Sequence, residues 1–144
     1  MYKDLVLGTA VISVTVLVHT VGLMLLTRAI ADLGRHGRLD RQALCRMGLM
    51  VATVLGLLVI HTAEIWLWAL VYVALGAFTA VHDALYFSTT TFSTIGYGDL
   101  VLDHEWRLLG ALEGVSGFLL IGWSTAYLVA ASTRHGPFRL GEHF

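Results

Sequence analysis

Three long apolar runs set the terms for this chain. Leu5 to Leu26, Met47 to Leu75 and Trp106 to Ala131 each extend for about 22 to 29 residues with very few charges. About 20 such residues cross the hydrocarbon core of a bilayer as a helix. The fold class is therefore an all-α membrane protein with three transmembrane helices. Composition agrees, with 57% of the 144 residues hydrophobic and 13% charged, against roughly 45–50% and 25% in soluble domains. No internal repeat, proline-rich linker or low-complexity tract divides the chain, so 1–144 reads as a single membrane domain. Net charge is −1, which argues against a nucleic-acid partner.

The first span, residues 5–30, has one rival reading. Ala29-Ile30-Ala31 has the small-x-small pattern of a signal cleavage site. Against cleavage, the run is longer than a signal h-region, and Arg28 follows it with more arginines beyond. Cleavage would leave those arginines on the outer side, contrary to the positive-inside rule. Residues 31–46 read as an Arg-rich cytoplasmic loop containing Gly34 and Gly37, with Asp40 as a candidate N-cap. Its arginines are either solvated near lipid phosphates or form a dedicated site for anionic lipid.

The second span, 47–78, carries His61 and Glu64, three apart and on one helical face. Trp66, Trp68 and Tyr72 follow, as in an interfacial aromatic belt. Ionisable groups at this depth are costly and rarely face lipid. They read as a proton sensor or ion pathway, or as a buried contact of His61 with Glu64 or with another helix. One His and one Glu are too few to define a relay, which favours the contact. The histidines are otherwise scattered, with no C-x-x-C or H-E-x-x-H spacing to suggest a zinc site, and Cys45 is alone. The third span, 106–131, holds Glu113, Gly114, Gly117 and Gly122, and a tail, 132–144, follows.

Between the second and third spans the pattern changes. Gly76 to Val81 loosens it, with Thr79 as a candidate cap. Residues 82–92 then form a stretch too short to cross a membrane, rich in hydroxyls that can satisfy neighbouring backbone. A re-entrant pore helix fits. Its C-terminus leads into Thr94-Ile95-Gly96-Tyr97-Gly98-Asp99, a run that suits neither helix nor strand. Gly96 and Gly98 permit positive φ, so successive carbonyls can turn to one side. Such an oxygen ladder replaces the water shell of an alkali cation. Non-helical backbone at membrane depth requires enclosure by protein or a water-filled pore.

This topology makes a checkable expectation. If the loop dips in from outside, arginines 28, 35, 38, 41, 46, 134 and 139 are cytoplasmic, and only Lys3 and Arg107 lie opposite. That split obeys the positive-inside rule. It places the chain in the cell inner (plasma) membrane with the N-terminus outside and the C-terminus cytoplasmic. Asp83, Asp99, Asp103 and Glu105 gather at the outer mouth, where they would concentrate cations.

The Thr94–Asp99 run resembles the selectivity filter of potassium channels. The likeness extends over roughly Met47 to Ala131, with softer matches at Glu64-Ile65-Trp66-Leu67-Trp68 and Glu105-Trp106-Arg107-Leu108-Leu109. The chain looks like the two-helix pore unit of small bacterial members, with an extra N-terminal helix. The resemblance implies that the filter, 94–99, binds K+ through carbonyls of Thr94, Ile95, Gly96 and Tyr97, with the Thr94 hydroxyl added and Gly98 closing the outer end. It implies that Tyr97 points away from the ion and packs on the pore helix. Asp99 would sit behind the filter, held in some members by a carboxyl or a tryptophan. The matching positions are read as Thr90 and Phe87, with Ser93 as further support, and a phenyl ring cannot donate a hydrogen bond. Gly117, with Gly114 one turn earlier, stands near a bend common in inner helices; close helix packing is the other reading. Glu113 is expected to face the back of the filter or a neighbouring helix.

One filter copy cannot enclose an ion, so conduction implies a homotetramer. The function read from sequence is a passive, potassium-selective channel. A non-conducting or weakly cation-selective protein reusing the scaffold as a regulatory or assembly subunit is the alternative. An enzyme is not indicated, because no nucleophile–base constellation is visible. No span carries arginines at every third position, so a voltage-sensor helix is not expected. The short tail leaves no room for a ligand-binding domain, and the gating stimulus stays open.

Overall fold

The computed structural model describes residues 2–36 and 43–135, which form four helices: α1 (Tyr2–His36), α2 (Ala43–Ala74), α3 (Val81–Phe92) and α4 (Arg107–His135). Gly37, Arg38, Asp40 and Arg41 of the expected loop, and Pro137 and Arg139 of the tail, lie outside the described residues. The chain is an all-helical, multi-pass membrane protein. Tyr2–Gly34, Arg46–Ala74 and Arg107–Arg134 are each long and apolar enough to cross a bilayer.

The helices outrun the apolar segments that identify them. At 1.5 Å per residue, the 35 residues of α1 extend about 50 Å, well beyond a hydrocarbon core of about 30 Å. α1 continues through Gly34 to His36, and α2 begins at Ala43. The expected 31–46 loop is therefore much shorter than its polarity suggests. A single helical glycine costs only about 1 kcal/mol relative to alanine, too little to end a long helix. The hydroxyl side chains of α1 do not disturb it. Thr9, Ser13, Thr15, Thr20 and Thr27 each donate to the carbonyl four residues back, at 2.7–2.8 Å, so none enters the apolar phase unpaired.

α2 ends by a specific mechanism. Gly76 takes φ +71°, its N–H bonds the Val73 carbonyl at 3.0 Å, and the Ala77 N–H reaches the Tyr72 carbonyl at 2.9 Å. These are the two bonds of a Schellman stop. It turns the chain into α3, whose N-cap is Ala80, with no side-chain cap bond. Thr79 therefore does not cap the helix.

α1 packs on α2 and α4, and α3 lies against α2 and α4. Small residues let the long helices close up. A Cβ at Gly8 would meet Leu112, one at Gly22 would meet Ile60, and one at Gly56 would meet Leu26. Two apolar clusters result. One gathers Val11, Trp68, Tyr72, Ala84, Phe87, Phe92, Leu102, Leu109 and Leu120; the other gathers Leu23, Leu57 and Ile60. Between them along α1 and α2 lies a polar layer of His19, His61 and Glu64. The expected aromatic belt is mostly interior. Trp68 and Tyr72 are wholly buried, and Trp66 alone of the three is exposed. Their spacing puts Trp68 and Tyr72 on one helical face, and that face turns inward.

The two ends of the bundle differ. Lys3, His104, Glu105 and Arg107 line one hollow, whereas Thr27, Ile30, Tyr127 and Arg134 line another. The two basic residues assigned to one side by charge bias thus share one end.

Candidate functional site

α3 delivers the glycine run. Its hydroxyls fold back on its own turns: Thr89 donates to the Leu85 carbonyl at 2.7 Å, Thr90 to Phe87 at 3.0 Å, and Ser93 to Thr89 at 2.6 Å. The helix closes with the Thr94 N–H on the Thr91 carbonyl at 3.0 Å. The chain then alternates. Thr94, Gly96 and Gly98 have φ of +62°, +55° and +74°, whereas Ile95 and Tyr97 between them do not enter that half of the map. For a β-branched residue such as Thr94 a positive φ is an outlier, costing on the order of 1–3 kcal/mol unless surroundings enforce it.

Two hydrogen bonds pin this segment to α3. The Gly96 N–H donates to the Thr90 carbonyl at 3.0 Å. At the far end the Tyr86 hydroxyl donates to Asp99 at 2.7 Å, and Asp99 also accepts the Leu100 N–H at 3.0 Å. The Tyr86 bond holds the Asp99 carboxyl below its ordinary pKa and raises that of Tyr86. Asp99 is therefore anchored by Tyr86, not by Thr90 or Phe87. On a helix the residue before Phe87 points a different way, and it carries the donor that a phenyl ring lacks. Phe87 instead fills the aromatic cluster, with ring centroids 5.4 Å from Tyr72 and 5.3 Å from Phe78. Thr90 supports the run through its carbonyl, and Ser93 bonds only its own helix.

Tyr97 is 70% exposed and Ile95 is 56% exposed in the single chain. Residues 94–99 are all exposed in the single chain. On α4, Val115, Phe118, Leu119 and Trp123 are exposed too, opposite a buried stripe of Leu109, Glu113, Ser116 and Leu120.

Behind α3 lies a buried carboxylate. Glu113 of α4 accepts hydrogen bonds from Tyr72 of α2, at 2.7 Å, and from Ser88 of α3. It joins three helices and faces no lipid. Gly117, one turn further, touches the end of α3 directly: a Cβ there would overlap the Phe92 carbonyl oxygen and lie 2.8 and 2.9 Å from its C and Cα. At Gly114 a Cβ would sit 3.6 Å from the Thr91 carbonyl, an ordinary contact.

Sequence spacing missed His19. Helix packing brings it to Glu64, across 45 positions, where its Nδ1–H donates to Oε1 at 2.8 Å; His61 Nδ1–H donates to Oε2 at 2.8 Å. His19 and Glu64 are wholly buried. The His61 ring lies 5.9 Å from that of Phe92, and the His19 ring 5.3 Å from Trp123. These three side chains could hold a metal ion. A histidine in the middle of an apolar run was the only signal available.

A family model described as ion channel matches residues 60–134, just over half of the chain. No curated protein and no solved structure matches.

Proposed function

The chain belongs to the ion channel family, and from that premise we propose that it conducts K+ passively through a pore formed by four copies. The observation that carries the reading is the φ alternation over Thr94, Gly96 and Gly98, on a segment tied to α3 at both ends. Alternation of this kind aligns successive carbonyls on one side of the chain. Four such strands around an axis would supply rings of oxygens to a dehydrated cation. The C-terminus of α3, with the negative end of its dipole, would face the cavity beneath. Exposure of Ile95, Tyr97 and the Val115–Trp123 face of α4 leaves apolar surface for neighbouring copies to cover. The Tyr97 ring would find its packing partner there. Helices 81–92 and the run after them would enter from the outer side, with the arginines cytoplasmic and the N-terminus outside.

Liposome flux tests the reading. Purified protein should support K+-driven uptake that Na+ does not support. The flux should disappear in Gly96→Ala, because alanine at φ +55° is strained whatever space surrounds it. Equal flux for both ions would reject potassium selectivity, and retention of selective flux in Gly96→Ala would reject the role assigned to the alternating backbone.

A further inference from the structure

We propose that His19, His61 and Glu64 form a binding site for a divalent transition-metal ion of the zinc class, joining α1 to α2 beside the end of α3. Their ligand-capable atoms lie within 4.8 Å of one another. Zinc bonds of about 2.0–2.2 Å bring tetrahedral ligands to roughly 3.3 Å apart, so modest side-chain rotations would close the three around an ion. Two imidazoles and one carboxylate suit zinc and its neighbours; calcium and magnesium prefer all-oxygen sets.

Two further observations point to a ligand. The cluster lies midway along apolar helices with Glu64 wholly buried. A carboxylate there needs compensation, and the two imidazoles supply hydrogen bonds to it. Moreover, His19 Nε2 is buried and has no partner among the described residues, so protein groups alone leave the cluster unsaturated. Coordination through Nδ1 takes each imidazole in its neutral form with the proton on Nε2, and the His19 ring lies 5.3 Å from that of Trp123.

The site has a structural consequence. His61 touches Phe92, and the Phe92 backbone abuts Gly117. An ion at this point would brace the base of the pore segment from behind, and it would give the N-terminal helix a direct link to that segment.

The experiment uses the full-length protein in detergent, stripped with a chelator. Zn2+ titration by calorimetry should give one ion per chain with a Kd of about 1 µM or tighter, unaffected by excess Mg2+ or Ca2+. Co2+ should give the visible absorption of a low-symmetry nitrogen–oxygen site, a readout needing no mutation. Affinity should fall at least about 100-fold in His19→Ala and in Glu64→Gln, and also in His61→Gln, at the one position of the three that is not wholly buried. Absence of stoichiometric Zn2+ binding by wild-type protein overturns the proposal. So does binding that survives in all three variants, which would place the ion on other histidines, or Co2+ bound without that absorption.

Discussion

Replacing Gly117 by alanine separates two roles for this glycine by the sign of the effect. In an unobstructed helix, Gly→Ala stabilises by about 0.5–1 kcal/mol through lost unfolded-state freedom. A hinge glycine would follow that rule, with alanine stiffening the helix and changing gating only. At Gly117 the new Cβ would instead overlap the Phe92 carbonyl and sit within 3 Å of two more backbone atoms. No side chain can rotate away, so α4 and α3 must separate by roughly 1–1.5 Å to restore contacts near 3.5 Å. Overpacking of this kind costs about 1–3 kcal/mol, and a rigid backbone obstacle belongs to the upper part of that range. The net change is a loss of about 1–2 kcal/mol per chain. At about 2–4 °C per kcal/mol for a chain near this size, Tm falls by roughly 2–8 °C. Gly122→Ala, where a Cβ meets nothing, and Gly114→Ala, where it makes an ordinary contact, should hold or raise Tm. Thermal unfolding in detergent, followed by intrinsic fluorescence, measures all three. A Tm for Gly117→Ala equal to or above wild type would refute the close-approach argument.

Other outcomes follow from the same contacts. Tyr86→Phe removes the donor to Asp99. The Tyr86 bond lowers the Asp99 pKa, so its contribution is present above the ordinary carboxylate value and lost as pH falls through the lowered one. Wild-type flux should therefore survive into mild acid, and the acid limb of the pH profile should move upward in Tyr86→Phe; an unchanged limb would remove Asp99 from the account. Tyr72→Phe deletes a hydrogen bond to the buried Glu113 carboxyl, a loss of about 1–3 kcal/mol, visible as a lower Tm, and Ser88→Ala should act in the same direction. Light scattering of the purified complex should give the mass of four chains, and a monomer would leave residues 94–99 without an enclosure.

Much of the fold was legible because its signals are local. Apolar length reveals a span, and a short hydroxyl-rich segment before alternating glycines reveals α3 and the run that follows. Apart from the extent of α1 and the cap of α3, the failures involve direction or distance. Tyr86 and Phe87 are adjacent, and which of them reaches Asp99 depends on how α3 is rotated, a matter of 100° that composition does not encode. Trp68 and Tyr72 look like interface anchors by residue type, yet they face inward because Glu113 and the Phe87 cluster give them partners. His19 and Glu64 meet only because Gly22 and Gly56 let α1 and α2 approach closely, so no spacing motif could have joined them. Thr94 at positive φ is opposed by its own β-branched side chain. It is the position where local preference yields most clearly to the surrounding structure.

The most direct measurement is the reversal potential of purified protein in a planar bilayer with K+ on one side and Na+ on the other. A potassium-selective pore built from residues 94–99 predicts a reversal potential far from zero, at the sign that favours K+, and its loss in Gly96→Ala. Current reversing at zero, or selectivity unchanged by that substitution, would contradict the account.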